Sequence, residues 1–167
     1  MKLARMSAYV LLLAPLATPA AAIAANRSDA SPLLKRGRYL VVIGGCNDCH
    51  TPGYAESGGH VPERDWLTGS RLGWHGPWGT SYPPNLRLFM QGRTRVQWIK
   101  FAHSARLRPP MPSWALHTLT DRDLSAIYAF IRHLGPRGHK APDFIAPGQA
   151  PPEPYVSWPG PPHKATQ

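Results

Sequence analysis

Cysteine is scarce in this chain. Two residues among 167 exclude a disulfide-rich scaffold and a four-thiolate zinc site. Charge is thin as well, at 17% of residues, and it is lopsided: nine acidic against 19 basic side chains, net +10. The 14 arginines and five lysines are scattered, with no recognition-helix pattern, which argues against a nucleic-acid-binding module. Away from the N-terminus no apolar run reaches the roughly 18 residues of a membrane-spanning helix, and there is no internal repeat. What the chain has in quantity is proline (20) and glycine (15). Its length suits one domain, small, basic and loop-rich, whose two cysteines need a joint explanation.

The N-terminus reads as an export signal. Lys2 and Arg5 precede an apolar stretch, Ala8 to Leu16, followed by small residues with an A-x-A pattern at Ala22-Ile23-Ala24. Residues 1–25 are therefore expected to be a signal peptide, with a membrane anchor as the alternative. Pro15 and Pro19 interrupt the stretch, and no cysteine follows the cut to carry a lipid. The expected location is the periplasm, and the mature chain, from about Asn26, carries 17 basic and nine acidic residues.

Ser31-Pro32 supplies an N-cap and a first helical residue, predicting a helix to about Ile43, stopped by Gly44-Gly45. Thr51 to Arg93 holds eight glycines and five prolines in 43 residues. A loop that long inside a domain is uncommon unless it is functional or disordered, and Trp66, Trp74, Trp78 and Tyr82 argue for order, packed on something apolar such as a large flat cofactor. Thr94 can cap a helix to about Ser104 with Val96, Ile99 and Ala102 or His103 on one side. Arg108-Pro109-Pro110-Met111-Pro112 must be stiff and extended. Thr120 can cap a last helix, with Asp121 and Asp123 in its first turn, an apolar stripe at Leu124, Ile127, Tyr128, Ile131 and Leu134, and Gly135-Pro136 at its end. The domain is expected over 31–138. Residues 139–167, with eight prolines in 29 positions, form an extension that is either disordered or a strap docking Phe144, Tyr155 and Trp158 on the domain or a partner.

The strongest motif is Cys46-Asn47-Asp48-Cys49-His50, the C-x-x-C-H pattern of c-type haem attachment. Thiols three positions apart near a helix end can reach the two vinyl groups of one haem, and the next histidine then lies under the iron. A covalent porphyrin would also centre a core that about 110 residues otherwise struggle to build. Alternatives are a thiol redox pair, for which no βαβ pattern is present, and half a zinc site, for which no second Cys/His pair is suitably spaced. For the sixth iron position Met111 is the candidate, in its proline-braced loop; the alternative is a packing role. Methionine–histidine ligation raises the reduction potential and leaves no open position, which suits electron transfer. Met90 reads as core. His75 and His117 are where a bis-histidine site would be sought.

Taken in order, these segments resemble class I c-type cytochromes: Gly37-Arg38-Tyr39-Leu40-Val41, the haem motif, Pro109-Pro110-Met111-Pro112, Leu119-Thr120-Asp121-Arg122-Asp123-Leu124 and Ile127-Tyr128-Ala129-Phe130. Gly76-Pro77-Trp78-Gly79-Thr80-Ser81-Tyr82-Pro83-Pro84-Asn85-Leu86 with Trp98 resembles one haem domain of the cytochrome subunits of membrane-bound alcohol and sugar-acid dehydrogenases. The likeness covers about residues 33–135. It implies an all-α cytochrome c fold, three to four helices with long loops around one covalent haem c, with Gly37 admitting the Tyr128 stripe of the last helix. It implies a proline carbonyl for the His50 ring N–H, with Pro62 as candidate, and Trp98 and Tyr82 as donors to haem carboxylates; simple aromatic packing is the alternative for both.

The expectation is a periplasmic monohaem electron carrier rather than an enzyme, with cofactor-binding residues Cys46, Cys49, His50, Met111, Trp98, Tyr82 and Pro62 and iron ligands His50 and Met111. Its partners would be redox proteins: a dehydrogenase or quinol-oxidising complex as donor and an oxidase as acceptor, with the membrane met only through them. Arg106 and Arg108 either steer an acidic partner or are merely solvated. The rivals are a haem enzyme or sensor with an open iron site, and a subunit docked permanently on a dehydrogenase.

Overall fold

Ser31 caps the first helix of the computed structural model, which describes residues 31–158. The leader read over 1–25 and the tail residues 159–167 lie outside the described residues. The Ser31 hydroxyl accepts from the Leu34 N–H, Pro32 fills N1, and α1 runs Pro32–Ile43. Gly44 and Gly45 turn the chain, Gly45 in the left-handed region at φ 66°, straight into α2, Cys46–His50.

Two further helices start where their caps predict. Thr94 and Gln97 form a reciprocal capping box that opens α4, Arg95–Ser104, and the Thr120 hydroxyl accepts from Asp123 N–H to open α6, Asp121–Leu134. Between these lie α3, Leu86–Gln91, capped by Asn85, and α5, Ser113–Thr118. The buried side of α4 is Trp98 and Ala102, whereas Val96 is 69% exposed and His103 lies outside. Of the expected face of Val96, Ile99 and Ala102 or His103, Ala102 is buried and Ile99 half-buried, while Val96 and His103 are corrected to the outside; α4 lies against α6 through its large indole.

The core sits where α1 crosses α6. Leu40 and Val41 pack with Leu124, Ala126, Ile127, Phe130 and Ile131, and Trp66, Leu67, Met90 and Trp98 close the cluster. Gly37 lies at the crossing: a Cβ there would stand 2.1 Å from the Ala126 carbonyl oxygen and 2.7 Å from Phe130 Cβ. The close approach is made to Ala126 and Phe130 rather than to Tyr128, whose hydroxyl turns aside and donates to the Arg93 carbonyl at 2.8 Å.

The all-α expectation is overturned. The described residues hold six helices and a three-stranded mixed sheet, a mixed α/β architecture. Strand β1, Gly73–Gly76, pairs antiparallel with β2, Gly79–Ser81, and parallel with β3, Tyr155–Ser157. Thr80 and Ile145 exchange backbone hydrogen bonds at 2.8 and 3.1 Å. Backbone groups withdrawn from water need partners, and here the glycine-rich loop and the tail supply them to each other. The tail is thus a strap docked on its own domain over 139–158. Trp158 lies against Trp74 and Trp78, with ring centroids 5.9 and 6.4 Å apart.

The long loop is ordered by its own contacts. Trp66 packs edge-on to Tyr54 and Phe130 and donates to the Val61 carbonyl. The buried Arg87 guanidinium donates to the carbonyls of Arg64, Leu134 and Gly135, tying the C-terminal end of α6 to the loop. Burial holds its pKa below the ordinary arginine value. Among the described residues no helix is long and apolar enough to cross a membrane.

Candidate haem-attachment site

Helix α2 carries Cys46, Cys49 and His50 on little more than one turn. Its C-terminal end is stitched to the following loop. The Thr51 hydroxyl donates to Asn47 Oδ1 at 2.8 Å and accepts from the Leu67 N–H at 2.7 Å, while Gly69 N–H donates to the His50 carbonyl at 2.8 Å. Leu67 is fully buried with φ 60°, a strained conformation for a non-glycine residue. Bonds at both its N–H and its carbonyl, the latter accepting from Leu86 N–H, hold it there.

That stitching carries residues 83–86 over the histidine. His50 is buried, and its Nδ1 lies 2.7 Å from the Pro84 carbonyl oxygen. A carbonyl only accepts, so Nδ1 carries the proton and Nε2 keeps its lone pair. Burial holds the His50 pKa below the usual histidine value despite the Pro84 bond, which favours neutral imidazole. A neutral ring with one N–H fixed by a carbonyl is the form that ligates metals. The expectation of Pro62 in this role is corrected: its carbonyl closes a local turn with Asp65 N–H, and Pro84, 34 residues beyond His50, serves instead. A carbonyl delivered through loop stitching leaves no local pattern to read.

Both thiols are free. Burial pushes Cys46 up to about 11 and raises Cys49 as well. Redox-active cysteine pairs have the opposite character, a lowered pKa, so the burial of these thiols does not favour thiol–disulfide exchange. Among the described residues no three His, Cys, Asp or Glu side chains group to hold a metal ion.

The remaining candidates divide. Trp98 belongs to the core, and its indole N–H donates to the Leu124 carbonyl at 2.9 Å; the expected donation to a haem carboxylate is corrected, because the donor is already engaged. The Tyr82 hydroxyl is buried without a partner, as are Trp74 Nε1, Trp78 Nε1 and Ser81 Oγ. Buried donors are normally satisfied, so four orphans within nine residues suit an anionic acceptor such as the carboxylates of a porphyrin. Met111 is half-buried at the end of a turn in which its N–H donates to the Arg108 carbonyl at 3.1 Å; Ser113 Oγ, accepting from Leu107 N–H at 2.9 Å, closes the loop.

His75 Nδ1 is paired with Thr80 Oγ1 at 2.8 Å, and His117 Nε2 donates to the Ala105 carbonyl. Met90 is fully buried, as read. Arg106 and Arg108 are both exposed, and the Arg108 guanidinium lies over the Phe144 ring at 3.9 Å. No family model, curated protein or solved structure matches the chain.

Proposed function

We propose that this chain is an exported monohaem c-type cytochrome that carries single electrons in the periplasm, between a dehydrogenase or quinol-oxidising complex and an oxidase. The observation that carries the reading is His50: directly after the Cys46/Cys49 pair, neutral, with Nδ1 engaged by Pro84 and Nε2 left as a lone-pair donor. The residues on this chain fit the group. Cys46 and Cys49 would hold it by adding their S–H bonds across its two vinyl groups, which needs no oxidant and releases nothing. His50 and Met111 would hold its iron, and Tyr82 with the other orphaned donors would serve its carboxylates. When bound, a haem supplies one reversible electron through its iron.

The chain's own part is to orient and to exclude. Pro84 fixes the ring plane of His50 and raises its basicity, and the burial of that ring keeps water from it. The leader read over residues 1–25 supports export, since haem attachment of this type and a periplasmic address go together.

The test is the absorption spectrum of the full chain made in cells with cytochrome c maturation machinery. The expected protein is red, keeps its haem through acid–acetone extraction, and shows a methionine–ferric charge-transfer band when oxidised. Colourless folded protein with two reactive thiols overturns the reading, and a high-spin ferric spectrum moves it to the enzyme or sensor class.

A further inference from the structure

The strap meets the methionine loop at one side chain. Phe144 is half-buried between two neighbours. On one side is Gly79, in the left-handed region at φ 100°: a Cβ at that position would stand 3.0 Å from Phe144 Cζ and 2.2 Å from the Ile145 carbonyl oxygen, so only glycine lets the strap close there. On the other side the Arg108 guanidinium covers the ring at 3.9 Å. Ile145, the next residue, is bonded to Thr80 through both its N–H and its carbonyl, so the ring is held by the sheet rather than by its own mobility. Arg108 in turn begins the turn whose backbone bond holds the Met111 N–H. Sheet, Phe144, Arg108 and Met111 form one continuous chain of contacts.

We propose that Phe144 is a positioning residue for Met111: the C-terminal strap, acting through Arg108, holds the methionine loop closed and so sets how readily the sixth iron position opens. This rests on the reading of Met111 as an iron ligand. Arg108 is thereby assigned a bracing role, distinct from steering a partner. A ring–guanidinium contact at the surface is the right size of brace, firm enough to bias the loop and weak enough to be released when something displaces the strap.

The experiment uses the haem-loaded full chain and exogenous imidazole as the competing ligand. Phe144→Ala and Arg108→Gln should each bind imidazole about three- to five-fold more tightly than the unsubstituted protein, matching the loss of one such contact. The double variant should be no tighter than either single one, because both remove the same contact. Hydrogen exchange at the Met111 amide should quicken in Phe144→Ala and in Arg108→Gln, and no further in the double variant.

Unchanged imidazole affinity in both single variants, with the methionine band present in the parent, overturns the inference alone. A parent without that band removes Met111 from the iron, and the inference falls with it. Should Phe144→Ala fail to mature, Arg108→Gln against its parent decides the matter by the same two readouts.

Discussion

The α1–α6 crossing buries Val41, Leu124, Ala126 and Ile131 to 1% exposure or less, whereas the strap on the hairpin leaves Trp158 45% and Val156 39% exposed. The first region is joined by apolar surface withdrawn from water around one glycine. The second is joined by backbone hydrogen bonds at Gly73, Thr80, Ile145 and Trp158 and by rings that still touch solvent. Burial of the first kind sets the global free energy of unfolding, and contacts of the second kind open locally at lower cost. The comparison assigns durability to the helical half, which carries α2 on the end of α1, and adjustability to the strap, which reaches the methionine loop.

The largest expected effect belongs to Gly37→Val. Its branched side chain meets the Ala126 backbone, which cannot yield without separating the two helices, so urea unfolding followed by circular dichroism should show a loss of about 3 kcal/mol. Arg87→Met comes next. It strips three carbonyls at the end of α6 and in the loop of their donor, and the same measurement should show a loss of about 2 kcal/mol.

Trp158→Ala separates the two regions. Hydrogen exchange at the Gly73 amide, which donates to the strap's Pro154 carbonyl, should quicken by the equivalent of about 1 kcal/mol, while the global unfolding midpoint stays in place. An equal fall in global stability would erase the distinction between durable and adjustable halves.

The smallest effect is electrostatic and lies at the crossing itself. Asp123 pairs with Arg36 at 2.9 Å, and that bond holds its pKa below the ordinary 3.8. Because the folded value is the lower one, the stabilisation is present above the unfolded pKa and is lost as pH falls through the folded pKa. Asp123→Asn should therefore be slightly less stable than its parent at pH 6, and the gap should close in acid below about pH 4. A gap that persists there would mean the loss comes from the Thr120 cap instead.

The legibility of the chain follows the same division. Helices α1, α4 and α6 begin at Ser31, Thr94 and Thr120 and end at or near the residues that the local chemistry names. Capping is written within four residues, and so it can be read there. The face of α4 misleads, because which side of a helix is buried depends on its neighbour, and Trp98 turns toward α6. The sheet is invisible in the chain for a related reason: β1 and β3 lie about 80 residues apart, are short, and show no alternation of apolar and polar positions.

At the candidate site, the Cys46–Cys49–His50 spacing, the stop at Gly44-Gly45 and the three capped helices are properties of neighbouring residues, so the linear chain was enough to determine them. The partner of His50, the engagement of Trp98 with Leu124 and the seat of Phe144 between Gly79 and Arg108 were decided by the tertiary structure alone. Each joins segments that meet only after the chain has folded, and no local pattern encodes such a meeting.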